Sequence, residues 1–186
     1  MIMTAQNKNV PEPMSREVQT QRLRLRTPNA KDAGELTRLL GDWDVAKWLA
    51  RVPHPYRLAD ANEFIKNARA KASSDCESNF TVYLNGKVIG GAGLTGETVA
   101  VLELGYWIAR DQWGCGYATE AAAGLIGYAE TTLGCARLEA SYQKNNLASG
   151  HVLRKLGFRL CGEKSIFSLA RNRDVSSTCV FLDLKH

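Results

Sequence analysis

The segment from Trp113 to Ala121 contains residue types that suit a phosphate-binding turn. It reads Trp-Gly-Cys-Gly-Tyr-Ala-Thr-Glu-Ala and leads into an alanine-rich stretch with helical apolar spacing. Gly114 and Gly116 allow a tight turn and close approach of a ligand to the backbone. Unpaired N–H groups of the first helical turn would favour a pyrophosphate; an ordinary glycine turn before a helix is the alternative. The chain has no GxxxxGK[ST] motif and no dinucleotide-binding unit.

A second helix start follows at residues 145–149, which read Asn-Asn-Leu-Ala-Ser. Asn146 is expected to cap this helix, and Ser149 falls in its first turn. Capping alone would account for both residues. The functional alternative requires the first segment beside it, so that two helix N-termini open at one edge of a sheet. One would then hold phosphates while the other offers an amide and a hydroxyl.

The elements around these segments predict an α/β fold. Residue patterns predict strands at 20–27, 80–84, 87–94, 98–109, 138–142, 158–163 and 178–184, and helices at 31–40, 59–72, 116–133 and 148–156. A further short helical stretch contains Trp43 and Trp48. Asn85-Gly86 is a strong two-residue hairpin signal. We therefore expect a mixed sheet with helices on both faces.

Length and composition limit the classes of function. The chain has 186 residues, of which 45% are hydrophobic and 23% charged, which favours one globular domain at 20–186 after a flexible leader at 1–19. The net charge of +5 is scattered along the chain, which disfavours a specific nucleic-acid interface. No apolar run approaches the ~20 residues of a membrane helix. The five cysteines form no CxxC pair, so neither disulfides nor a zinc site are indicated, and a cytoplasmic location is expected.

Several segments in a fixed order carry a family resemblance. They are Gln21-Arg22-Leu23-Arg24-Leu25-Arg26, Val52-Pro53-His54-Pro55-Tyr56 with Ala59-Asp60-Ala61, Glu103-Leu104-Gly105-Tyr106-Trp107-Ile108, the segment 113–121, and Asn146-x-x-Ser149 with Leu156-Gly157-Phe158. Together they resemble the GNAT N-acetyltransferases, in particular the branch that includes the RimJ/RimL ribosomal-protein N-terminal acetyltransferases. The resemblance implies a mixed, mostly antiparallel sheet of six to seven strands and no metal. It also implies acetyl-CoA as donor and direct transfer to a primary amine.

The same resemblance implies a donor site. Gly116 and Ala118 match the last two small positions of the family's pyrophosphate loop. Trp113 stands where Arg or Gln is usual and Cys115 where a basic residue is common, so one phosphate contact is expected to be missing. Pantetheine should lie along the end of the strand at 98–109 like an added strand. The implied donor-binding residues are Trp107, Ile108, Ala109, Trp113, Gly114, Cys115, Gly116, Tyr117, Ala118, Thr119, Asn146 and Ser149.

Glu103 and Ser149 are the expected catalytic residues. An amine attacks only when deprotonated, so a base is needed. Strand parity puts Glu103 on a mostly apolar face with Gly105 and Trp107, where loss of water would make a carboxylate a stronger base. A structural or substrate-orienting glutamate is the alternative. Leu153 occupies the position of the tyrosine acid of many GNAT enzymes, so the resemblance implies that Ser149 acts on the leaving sulfur instead, either by donating a hydrogen bond or by transferring its proton.

Four aromatic residues are candidates for the acceptor pocket. Trp43, Trp48, His54 and Tyr56 lie where the family builds its acceptor pocket, although core or loop packing could explain each of them. We expect the α-amino group of a protein or peptide N-terminus. The alternatives are a small-molecule amine (an amino acid, polyamine or antibiotic) and a non-catalytic acyl-CoA-binding sensor. The expected partners are acetyl-CoA and the amine, without membrane or specific nucleic-acid binding, and a homodimer is left open.

Overall fold

The computed structural model describes residues 15–184 and contains one eight-stranded sheet. The strands are β1 (Glu17–Gln19), β2 (Leu23–Arg26), β3 (Glu77–Leu84), β4 (Lys87–Thr98), β5 (Val101–Ile108), β6 (Arg137–Gln143), β7 (Arg159–Ser168) and β8 (Arg173–Asp183). Their order in the sheet is β1-β2-β3-β4-β5-β6-β8-β7. All neighbouring strands are antiparallel except the parallel pair β5 and β6.

Helices cover both faces of this sheet. They are α1 (Ala33–Leu40), α2 (Trp43–Ala46), α3 (Leu58–Ala70), α4 (Tyr117–Thr131) and α5 (Leu147–Lys155). The larger core cluster joins the sheet to α4 and α5, while a second cluster joins it to α1, α2 and α3. Strand β5 contributes side chains to both clusters, because Leu102 and Leu104 belong to the first cluster and Trp107 packs against the second. No helix within residues 15–184 is long and apolar enough to cross a membrane.

The main predictions about the fold are confirmed. The sheet is mixed with helices on both faces, and Asn85 and Gly86 connect β3 to β4 with φ angles of 49° and 79°. These positive angles are what a type I′ hairpin turn requires. The strand count is one above the predicted maximum, because Glu17–Gln19 pairs with β2. A strand of three residues is too short to show alternation. The predicted leader at 1–19 therefore overlaps the sheet at its end, and residues 1–14 lie outside the described residues.

Strands β5 and β6 pair along only part of their length. Their register joins Val101 to Arg137 and ends where Glu103 faces Glu139. Beyond that point β5 stays paired with β4 as far as Ile108, and β6 stays paired with β8 as far as Gln143. The two halves of the sheet therefore separate between β5 and β6, and an opening forms near the centre of the fold.

Candidate active site

Two helix N-termini open at the same edge of the sheet. Helix α4 follows β5, and α5 follows β6. Since β5 and β6 are parallel, their carboxyl ends lie at one edge, next to the opening between them. Ligands of α/β sheets commonly bind at such carboxyl ends, where neighbouring connections diverge. This juxtaposition is the arrangement that the functional interpretation of residues 113–121 and 145–149 requires.

The N-terminus of α4 is built to leave backbone N–H groups unpaired. Gly116 is the N-cap residue with φ of 82°, a left-handed conformation that glycine adopts at little cost, and no side chain caps the helix. Glu120 N–H, which donates to the Gly116 carbonyl, is the first that bonds within the helix. The N–H groups of Tyr117, Ala118 and Thr119 are therefore free to meet an anion.

Arg22, which is not among the predicted donor residues, lies against this N-terminus. Its Nε and its backbone N each donate to the Glu120 carboxylate at 2.6 Å. Its Nη1 donates to the Cys115 carbonyl at 3.2 Å, and its guanidinium stacks over the Tyr117 ring at 4.5 Å. Nη2 has no hydrogen-bond partner among the described residues. A positive charge thus stands beside the loop that contains Trp113 and Cys115, two side chains without a positive charge.

Glu120 would repel an anion at this N-terminus if its charge were not balanced. Partial burial alone would raise the pKa of Glu120, but hydrogen bonds from Thr20 and Arg22 outweigh this effect and lower it. The Thr20 hydroxyl donates to the carboxylate at 2.7 Å. The carboxylate is therefore ionised and paired at neutral pH, and it holds Arg22 in place.

The end of β5 offers fewer free backbone groups than predicted. The Trp113 indole Nε1 donates to the Ile108 carbonyl at 2.8 Å, and Ala109 N–H donates to the Ile89 carbonyl of β4 at 2.8 Å. Backbone N–H and C=O groups alternate in direction along a strand. The backbone groups of Tyr106 and Ile108 therefore point towards the opening, whereas those of Trp107 point towards β4. Of the predicted pantetheine contacts, Ile108 is thus the one whose backbone points into the opening.

The start of α5 brings Asn146, Ser149 and Tyr106 together. Asn146 caps the helix, since its Oδ1 accepts a hydrogen bond from Ser149 N–H at 3.2 Å. The Ser149 Oγ lies 3.1 Å from the Tyr106 hydroxyl, which also lies 3.2 Å from the Ser149 carbonyl oxygen. Burial raises the pKa of Tyr106 to about 12, with a smaller opposing effect from its hydrogen bond to Ser149. Tyr106 is therefore neutral at physiological pH.

Glu103 lies on the opposite face of β5 from Tyr106, as strand parity predicts, but its surroundings differ from those predicted. Ser141 of β6 donates to its carboxylate at 3.0 Å. Arg51 and Lys164 approach the same carboxylate at 3.7 Å and 3.9 Å, and the Glu103 side chain is 38% exposed. The expectation of a mostly apolar face is therefore wrong. Parity within β5 cannot show which polar residues the loop after α2 and the strands β6 and β7 contribute.

Three of the four predicted acceptor residues, Trp43, Trp48 and His54, form one group that the loop after α2 connects to Arg51. Trp43 is 42% exposed and meets His54 edge to face, with 5.1 Å between the ring centroids. The Arg171 guanidinium lies over both Trp43 and Trp48. The chain continues from Trp48 to Arg51, the residue that approaches Glu103. Tyr56 is instead a core residue of the second cluster and only 8% exposed.

The turn between β7 and β8 contacts this aromatic group and the loop after α2. Arg171 Nε donates to the Lys47 carbonyl at 2.9 Å, and Gln143 Nε2 donates to the same carbonyl at 2.8 Å. Leu169 N–H donates to the Ala50 carbonyl at 2.9 Å. The loop after α2 is therefore tied both to β6 and to the β7–β8 turn.

No group of three or more His, Cys, Asp or Glu within residues 15–184 could hold a metal ion.

Comparison with known proteins identifies this arrangement. The family model described as an acetyltransferase (GNAT) domain matches residues 22–159. The chain belongs to the GNAT acetyltransferase family. An uncharacterized N-acetyltransferase p20 of Bacillus licheniformis is 28% identical over 158 residues, which are 83% of this chain and 88% of that protein. The chain is accordingly an N-acetyltransferase that uses acetyl-CoA.

Solved GNAT structures share the fold. RimJ of Mycobacterium smegmatis, in complex with CoA-disulfide, superimposes with a TM-score of 0.77 at 22% identity, covering 92% of this chain and 88% of that one. RimL, a ribosomal L7/L12 alpha-N-protein acetyltransferase in complex with coenzyme A, gives a TM-score of 0.80 at 14% identity, covering 91% of this chain and 98% of that one. The site also contains residues that the sequence-based prediction lacks: Arg22, Arg51, Tyr106, Glu120, Ser141, Lys164 and Arg171.

Proposed function

We propose that the protein transfers the acetyl group of acetyl-CoA directly to the α-amino group of a protein or peptide N-terminus. The observation that carries this proposal is the opening between β5 and β6. Ser149 lies at the side of α4 and α5, Glu103 lies at the opposite face, and the two helix N-termini meet at the edge of the same opening. A thioester in the opening would be accessible to the Ser149 hydroxyl from one face and to an amine from the other.

On the donor side, the N–H groups in the first turn of α4 bind the pyrophosphate. Arg22 supplies the positive charge that Trp113 and Cys115 cannot. The Ile108 N–H receives the pantetheine, and the Asn146 amide nitrogen holds its thioester end. Ser149 donates a hydrogen bond to the departing sulfur, which carries negative charge as the carbon–sulfur bond breaks.

On the acceptor side, Glu103 acts as the base. The amine nitrogen bonds to the acetyl carbon, the carbon–sulfur bond breaks, and Glu103 takes the proton of the attacking nitrogen directly or through water. Ser141, Arg51 and Lys164 hold the carboxylate in position. The exposed Trp43 ring and its neighbours Trp48 and His54 line the approach of the acceptor.

The choice of an α-amino group is supported by the likeness to RimL, a ribosomal L7/L12 alpha-N-protein acetyltransferase. The opposite face of the opening is reached through the aromatic group and the loop after α2, which leave Glu103 more than a third exposed. The N-terminal segment of an acceptor protein or peptide can reach a base in such a partly exposed position from the surface of the enzyme.

An acceptor screen tests this proposal. The protein is incubated with acetyl-CoA and peptides, ribosomal proteins, free amino acids or polyamines, and release of the CoA thiol is followed while mass spectrometry locates the acetyl group. We expect acetylation of peptides with a free N-terminus and none of matched peptides whose N-terminus is blocked but which contain lysine. Transfer to small amines alone would replace the N-terminal acceptor by a small molecule. Acetyl-CoA binding with no transfer to any amine would favour an acyl-CoA sensor.

A further inference from the structure

The contact between Tyr106 and Ser149 joins the centre of the sheet to the start of α5. The two residues are 43 positions apart in the chain, and the Tyr106 hydroxyl lies 3.1 Å from Ser149 Oγ. Tyr106 pairs with Ala92 across β4 and β5, and its ring packs against the larger core cluster. A strand in the middle of a sheet fixes this hydroxyl far better than an exposed loop would. The contact has no part in the acid–base roles given above.

We propose that Tyr106 is a positioning residue for acetyl transfer: its hydroxyl donates to Ser149 Oγ and so directs the Ser149 proton towards the departing sulfur. This inference rests on the proposed function, which gives Ser149 its role at the sulfur. A serine hydroxyl has one proton and two acceptor lone pairs, and it rotates freely when it has no partner. When Tyr106 occupies one lone pair, the proton of Ser149 remains available for another acceptor.

Tyr106 does not itself give up a proton in this arrangement. Burial raises its pKa to about 12, whereas a thiol has an ordinary pKa of about 8.5, so the departing thiolate is too weak a base to deprotonate the phenol. The phenol therefore remains a donor throughout the reaction. Its effect is to orient Ser149, and it should alter the rate of transfer without altering the affinity for the donor.

One competing hydrogen-bond arrangement predicts the opposite effect. The Ser149 carbonyl oxygen lies 3.2 Å from the Tyr106 hydroxyl and could accept its proton instead. Ser149 Oγ would then donate to the phenol oxygen, and its proton would point away from the sulfur. Removal of the Tyr106 hydroxyl would in that case free Ser149, so that kcat would stay unchanged or rise.

The test compares Tyr106→Phe with Tyr128→Phe. Tyr128 is a partly buried tyrosine of α4 that packs edge to face on Phe80, with 5.7 Å between centroids, so its variant removes a phenol oxygen from the same core. With acetyl-CoA and the best acceptor of the screen, we expect Tyr106→Phe to lower kcat about tenfold and to change the KM for acetyl-CoA less than about twofold. Tyr128→Phe should keep the wild-type kcat.

Both tyrosine variants are then repeated in a Ser149→Ala background. There Tyr106→Phe should lower kcat no further, since the hydroxyl that it orients is gone. A further loss in that background would show that Tyr106 acts by general destabilisation or independently of Ser149, and would overturn the inference. A wild-type or higher kcat for Tyr106→Phe would overturn it as well.

The wild-type enzyme separates failure of this inference from failure of the proposed function. If wild type acetylates a small amine instead of an N-terminus, the comparison is made with that amine, and only the choice of acceptor is lost. If wild type binds acetyl-CoA but acetylates no amine, the proposed function fails and the role of Tyr106 fails with it. If wild type is active and Tyr106→Phe equals it, the inference alone is refuted.

Discussion

Replacing Arg22 by alanine should weaken both the fold and the donor site. The change removes the guanidinium that pairs with Glu120, donates to the Cys115 carbonyl and stacks on Tyr117. The Glu120 carboxylate keeps its hydrogen bonds from Thr20 and from the backbone of residue 22 but loses its positive partner. A negative charge then remains uncompensated in the first turn of α4, where the pyrophosphate is proposed to bind.

The size of the effect follows from the exposure of the two side chains. Arg22 is 43% exposed and Glu120 only 14%. Hydrogen bonds to charged groups contribute about 1.5–3 kcal/mol, and exposed ion pairs about 0–1 kcal/mol, so this half-exposed pair should contribute about 1–2 kcal/mol. For a domain of this size that loss corresponds to a decrease in Tm of about 3–6 °C. Loss of about 1 kcal/mol in phosphate binding would raise the Kd for acetyl-CoA about fivefold.

The loss of stability in Arg22→Ala should be larger at neutral pH than at acidic pH. The folded protein lowers the pKa of Glu120 below its ordinary value of 4.5. A lowered carboxyl pKa stabilises the fold above the unfolded-state pKa, and this contribution is lost as pH falls through the folded-state pKa. Arg22→Ala removes part of the lowering. The difference in Tm between wild type and variant should therefore be full above about pH 5 and should shrink as the pH falls below about 4.

Arg24→Ala is the matched control. Arg24 is an arginine of the same segment, and its side chain pairs with Glu17 of β1 instead of with a residue of α4. Thermal melts and calorimetric titration with acetyl-CoA at low and high salt give the stability and the Kd, and the fivefold difference should shrink at high salt. Equal Tm and equal Kd for the Arg22 and Arg24 variants would refute the role given to Arg22. Recovery of acetyl-CoA affinity in Arg22→Ala combined with Glu120→Gln would support it.

Three further changes test the chemistry and the sheet. Ser149→Ala should lower kcat well beyond about tenfold with little change in acetyl-CoA affinity, since its hydroxyl acts at the leaving sulfur; lost affinity with unchanged kcat would reduce Ser149 to a helix-start residue. Glu103→Gln should lower kcat/KM for the acceptor most near neutral pH and recover partly towards about pH 9.5, as free amine becomes abundant; wild-type values throughout would remove Glu103 as the base. Gly90→Ala should lower Tm much more than Gly105→Ala, because a Cβ at 90 would overlap the Trp107 carbonyl while a Cβ at 105 has open space; equal melts would contradict this.

The local parts of the fold and of the site could be predicted from the sequence. Asn85-Gly86 specifies its own turn, and alternation along β5 puts Glu103 and Trp107 on one face. The first turns of α4 and α5 follow from Gly116 and Asn146, which act on their own neighbours. Each of these features depends on residues within one turn or one strand.

The remaining parts depend on contacts between distant segments. Arg22 reaches the N-terminus of α4 from 93 positions away, and Ser141 reaches Glu103 from 38. Alternation along β5 predicts the face on which Tyr106 lies, but its contact with Ser149 joins residues 43 positions apart. The polar surroundings of Glu103 likewise come from separate segments that only the sheet order brings together.

The central claim is that acetyl-CoA binds with its pyrophosphate at the N-terminus of α4, and Gly116→Asp tests it most directly. The variant puts a negative charge where the phosphates should lie. Gly134→Asp is its control, because Gly134 also has a positive φ, of 66°, with open space around it, but it lies beyond the C-terminus of α4. Calorimetric titration of both folded variants with acetyl-CoA should show binding lost in Gly116→Asp and kept in Gly134→Asp. Wild-type affinity in a folded Gly116→Asp protein would contradict the placement of the donor.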